Sequence, residues 1–268
     1  MESIRFIFRL LLVVVFLYVC SIILDIMETL PPLKWVGGNI LYGSVKFSAG
    51  VVIFFGFLVW PAYKDWKERT RKLRIAAADL GLTYHDGKFR PEPSLLQSRL
   101  LRRGFRRQFG PAITGEYEGV EILLFDYRYV RSEASDSVDR SYLHTVVVFS
   151  APEIEIPDFV MVREGFGDRI FKRLFGNRDI EFEGDSAFSK RYLLAGPIQK
   201  AVRDLFGSEL RAAFIRTEKK WAAEAMENRL ILFPDDQSDE RVKAEDLANY
   251  VQEAWAIFEV IRKGRDRS

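Results

Sequence analysis

At 268 residues the chain has room for one good-sized domain with accessory segments, since a domain typically takes about 100 to 200 residues. Its 40 basic and 38 acidic side chains nearly cancel, so a net charge of +2 gives no whole-molecule attraction for nucleic acid, and any basic partner surface is local. A single cysteine, Cys20, excludes a disulfide framework and a cysteine-rich zinc site, and with His85 and His144 the only histidines, a histidine-rich metal site is excluded too.

Near the N-terminus "LLLVVVFLYVCSIIL", 10–24, carries no charge, and residues 4–8 lengthen the run if Arg9 reaches toward the headgroups. A cleaved signal peptide is the competing reading. No small-x-small site follows, however, and Val19 stands where a lipoprotein signal needs a small residue before Cys20. A second uncharged run, "FSAGVVIFFGFLVWPAY", 47–63, ends with Trp60 and Tyr63, residues suited to the membrane–water boundary. Two transmembrane helices are predicted, joined by a turn through "TLPPLKW". Arg5 and Arg9 precede the first, while Lys64, Lys67, Arg69, Arg71, Lys72 and Arg74 follow the second. By the positive-inside rule both termini are expected in the cytoplasm.

The expected organisation is a transmembrane hairpin over 1–63, a helical stalk over 64–81 and a cytoplasmic α+β domain over 82–268. The stalk, "YKDWKERTRKLRIAAADLGL", is rich in helix formers and stops at Gly81, which suits a left-handed cap. Asp86-Gly87 is a two-residue hairpin signal, and Ser94 with Gln97 form a capping box for a short helix, "LLQSRLLRR", that ends before Gly104.

From Ala112 the apolar period becomes two. "AITGEYEG", "VEILLFDYRYV", "YLHTVVVFS" and "DFVMVRE" predict four successive strands, joined by connections too short for parallel crossovers, hence an antiparallel meander. The polar stretch 131–141 is the expected mobile or contact-making loop. A helix is predicted over 168–176, followed by short strands around 180–182 and 192–195 and a helix opening at Gly196-Pro197. Ser208 marks another helix start, and a hairpin turns at Glu227-Asn228. Over 243–263, Leu247, Val251, Ala254, Phe258 and Ile261 form one stripe of a packed terminal helix. The fold class expected is α+β, with a mainly antiparallel sheet and packed helices.

No site announces itself. On a strand, Asp126 and Arg128 share one face near its end, where an exposed ion pair contributes about 0 to 1 kcal/mol, and Tyr127 points to the other. His144 alternates with Tyr142, Val146 and Val148, the pattern of a packed histidine more than of a catalytic base. "EGFGDRIF" lacks the third glycine of a dinucleotide loop; no Walker lysine or G-x-S-x-G elbow exists, so no cofactor is implied. "PDDQSDE", 234–240, clusters acids without calcium-loop spacing and reads as a solvated hairpin exit. The basic run "RLLRRGFRRQ" offers Arg99, Arg102, Arg103, Arg106 and Arg107 for contact with anionic lipid, against a plain solvated helix face.

Three stretches in order, "GEYEGVEILLFDYRY", "HTVVVFSAPEIEIPDFVMVRE" and "FSKRYLLAG", followed by "LFGSELRAAF", carry a likeness. Their combination resembles a widespread set of uncharacterised bacterial membrane proteins, in which a short membrane hairpin precedes a cytoplasmic domain. The likeness spans roughly residue 112 to the C-terminus and departs at Glu118-Gly119-Val120, where those proteins commonly carry an arginine after the glycine. It implies a bacterial protein and brings no activity or site residues with it; with the topology read above, the expected location is the bacterial inner membrane. Two functional readings stand: a membrane-anchored binding or scaffold domain whose partner is lipid or protein, and an enzyme with an unfamiliar site near His144, Asp126 and Tyr127.

Overall fold

The computed structural model describes residues 60, 63–132, 139–163, 179–182, 184–217, 219–235 and 239–266. Both apolar runs fall almost wholly outside this set, as do the helix predicted over 168–176 and most of the polar loop. Among the described residues no helix is long and apolar enough to cross a membrane. The chain divides into two compact units, Met1–Glu68 and Arg69–Ser268.

Helix α1 covers residues 63–79 and ends at Gly81, whose φ of +72° is the left-handed turn predicted for it. Then come β1 (Thr83–His85), β2 (Phe105–Tyr117), β3 (Val120–Ser132), β4 (Asp139–Ser150) and β5 (Phe159–Arg163). They are followed by α2 (Ser186–Ser189), β6 (Tyr192–Ala195), α3 (Gln199–Leu205), α4 (Ser208–Arg216), β7 (Trp221–Met226), β8 (Arg229–Pro234), β9 (Asp239–Glu240) and α5 (Leu247–Asp266). The α+β class with an antiparallel sheet is what the alternation predicted.

One sheet carries the order β1-β2-β3-β4-β8-β7-β5-β6 with every neighbour antiparallel, and β9 adds to β4 in parallel. The hairpin turns at Glu118-Gly119 and Glu227-Asn228 hold both central residues at positive φ, the backbone twist that two-residue hairpins need. Only β2, β3 and β4 form the expected meander. The connection after β4 carries the chain past two positions, so β8 and β7 stand between β4 and β5.

Three local expectations are corrected. Asp86-Gly87 makes no hairpin, because β1 pairs with residues 112–114 of β2. The run beginning at Ser94 is a 3-10 turn, Leu95–Gln97, followed by further turns; the Ser94 side chain makes no cap, and a distant carboxylate takes up the amides of Arg99 and Leu100 instead. Around 180–182 there is no strand, although Ile180 donates to the carbonyl of Leu194 at 2.8 Å.

The sheet has two apolar faces with different covers. Helices line one: Leu73 and Ala77 of α1, Val202 of α3, Phe214 of α4, and Val251, Phe258 and Ile261 of α5 share one core with Ile122, Leu124, Val147, Phe149, Phe159 and Leu194. The other, with Phe125, Tyr127, Tyr129, Tyr142, Val146 and Phe233, is met by Leu95, Leu100 and Leu101 from the segment between β1 and β2. That strap has little regular structure of its own, so side-chain anchors must hold it.

Candidate functional site

The register of β3 on β4 decides which candidates meet. Asp126 pairs with Thr145 and Tyr127 with His144, so alternation sends Asp126 to the helix-covered face and Tyr127 and His144 to the strap-covered face. The three residues do not form one constellation.

Asp126 is 9% exposed. It pairs with Arg69 of α1 at 3.0 Å and accepts from the Thr145 hydroxyl at 2.8 Å; the predicted partner Arg128 is exposed and is not in this cluster. Thr145 is the hub. Its hydroxyl also accepts the Val242 amide at 2.9 Å, and its carbonyl accepts from the Tyr250 hydroxyl of α5. Gly110 lies at a bulge in β2, and a Cβ there would come within 2.9 Å of the Asp126 Cβ, so only glycine lets the strand pass this close.

Beside this cluster is a small cleft of about 10 Å³, about the space one water needs, lined by Arg69, Tyr84, Pro111, Asp126, Thr145 and Val242 among others. Burial pushes the Tyr84 hydroxyl above its ordinary value, partly offset by a hydrogen bond from Thr70. With the carboxylate already engaged by a cation and a hydroxyl, the arrangement is suited to joining α1, β3, β4 and α5 more than to turning over a substrate.

On the strapped face the rings run in a row: Phe109 on Tyr127 at 5.3 Å, Tyr127 on Tyr129 at 5.2 Å and Tyr129 on Tyr142 at 5.2 Å. His144 lies against Phe233 at 5.0 Å with no exposed surface, as the packed reading of its alternation expected. The Tyr127 hydroxyl donates to the carbonyl of Leu101 at 2.8 Å. Burial pushes the hydroxyls of Tyr127 and Tyr129 well above the usual tyrosine range, against the pull of Arg103, and holds them neutral.

The basic run does not form one surface. Arg99, Arg102, Arg106 and Arg107 are exposed, the last two on β2 beyond Gly104. Arg103 is 4% exposed and pairs with Asp235 at 2.5 Å, so it is removed from the lipid-contact set. Burial disfavours the Arg103 charge, but the Asp235 carboxylate beside it outweighs that and raises its pKa above the ordinary value.

Two acids that hold the strap were not singled out from the sequence. Glu224 on β7 is 4% exposed, takes the Ser98 hydroxyl at 2.6 Å, and accepts the amides of Arg99 and Leu100 at 2.9 Å each. Asp235 sits in the cluster expected to be solvated, yet it is fully buried. The available signal was weak: a lone acid inside the apolar strand "WAAEAM", and an acid directly after "LILFP". Comparison with protein-family models, with curated proteins and with solved structures finds no match to this chain.

Proposed function

We propose that the chain is a membrane-anchored α+β binding or scaffold domain acting at the inner face of a bacterial membrane, with both termini cytoplasmic. The observation that carries this reading is α1. It follows directly on the uncharged run 47–59, is lined with Lys64, Lys67, Arg71, Lys72 and Arg74, and sends Leu73 and Ala77 into the core while Arg69 engages Asp126.

Binding is favoured over catalysis near His144, Asp126 and Tyr127 because the sheet itself separates Asp126 from the other two. A protein or lipid partner at the membrane surface fits the exposed arginines, none of which belongs to a reactive cluster of described residues. Reporter fusions test the topology. Green fluorescent protein fused after Ser268 should fluoresce while alkaline phosphatase at the same point stays inactive; the reverse pattern overturns the cytoplasmic account and its partners.

A further inference from the structure

Trp60, Tyr63 and Trp66 are 64%, 47% and 55% exposed, respectively. Every other described tryptophan or tyrosine is at least partly buried, down to 0% for Trp221 and Tyr129. The three exposed rings follow each other at a spacing of three residues, with centroids 6.2 and 6.1 Å apart, so they form a continuous strip. Lys64 and Lys67 lie along it, and helical spacing continues their row through Arg71 and Arg74; Asp65 and Glu68 fall beside that row, not on it. Further along α1, Arg69, Leu73 and Ala77 form the stripe turned to the domain, with Leu73 and Ala77 buried in the core.

Rings with an apolar body and a polar tip, exposed as a group beside lysines, match the headgroup layer of a bilayer, where aromatic belts concentrate. Chain continuity selects the same occupant, since the residues just before Trp60 are an uncharged apolar run. We infer that this strip seats in the headgroups of an anionic leaflet, with Lys64 and Lys67 against acidic lipid, so that the membrane boundary falls across residues 60–67. The inference rests on the anchored reading above and adds to it a place for the boundary, about one turn beyond the end of the uncharged run at residue 63.

Spin labels on the full chain, reconstituted in phosphatidylcholine vesicles containing phosphatidylglycerol, test it. In a Cys20→Ser background, labels are placed by Tyr63→Cys and Lys67→Cys, with Glu118→Cys at an exposed turn as the aqueous reference. Collision with a water-soluble nickel reagent should be several-fold lower at 63 and 67 than at 118, with oxygen collision raised. Adding Trp60→Ala and Trp66→Ala should move the label at 67 toward the reference. Nickel access at 63 equal to that at 118 overturns the inference, and so does an immobilised spectrum shielded from both reagents, which means a protein surface covers the strip. Alkaline carbonate extraction separates the two failures: a chain that stays in the vesicles with an aqueous label at 63 keeps its anchor and loses this boundary, whereas a chain released into solution loses both.

Discussion

Arg103 and Asp235 face each other where neither reaches water, so each neutralises a charge that would otherwise be stranded. Removing one partner of a buried pair typically costs about 3–5 kcal/mol, whereas replacing both with apolar groups is far milder. Arg103→Met and Asp235→Asn should therefore each lower the unfolding free energy of the full chain in detergent by such an amount, read from urea titration, and Arg103→Met with Asp235→Leu should recover a large part of it; a double-variant loss equal to the sum of the two single losses would mean that the charges do not interact. Gly104, the next residue, is constrained by shape. Its φ is +64°, and a Cβ would lie 2.3 Å from the Val130 carbonyl oxygen, a contact with backbone that no side-chain motion relieves. Gly104→Ala should lower the melting temperature through a cost on the order of 1–3 kcal/mol.

Between elements, Thr145 joins what the backbone ladder does not. Thr145→Val keeps the shape but leaves the Val242 amide without its acceptor and Asp126 without one donor, a loss of about 1–3 kcal/mol for a buried group. Hydrogen exchange should report it locally, with faster exchange at Val242 and little change at the β7–β8 hairpin; uniform acceleration would make Thr145 a general core residue instead. At the β2–β3 turn, Glu118 holds a φ of +51° before Gly119. Asparagine tolerates this conformation better, so Glu118→Asn should stabilise the domain by about 0.5–1 kcal/mol, seen as a higher thermal midpoint. Both turns were legible in the chain, whereas Asp86-Gly87, an equally good local signal, makes no hairpin because β1 finds its partner across the strap.

Across the whole molecule, the row of buried tyrosines makes stability depend on alkali. In the unfolded chain a tyrosine ionises near pH 10, but Tyr127 and Tyr129 have their pKa raised on folding by burial. A raised folded pKa means that stability is fully present below the unfolded value and is lost as pH rises from there toward the folded one, at up to about 1.4 kcal/mol per pH unit for each tyrosine. The urea midpoint should hold steady below pH 10 and fall above it, and Tyr129→Phe should flatten that fall; an unchanged slope in Tyr129→Phe would mean that its hydroxyl is reached by water.

The sequence by itself determined the α+β class, the two faces of β3, the packed position of His144, the hairpins at Glu118-Gly119 and Glu227-Asn228 and the inward stripe of α5. Each is a matter of local period or local φ, expressed within a few residues of chain. Only the tertiary structure decided that β8 and β7 lie between β4 and β5, that Arg69 rather than Arg128 meets Asp126, and that Glu224 and Asp235 are buried under the strap. These depend on residues dozens to more than a hundred positions apart. An acid reads the same in one dimension whether water or a distant arginine neutralises it, and the choice is made by which segments exclude water together.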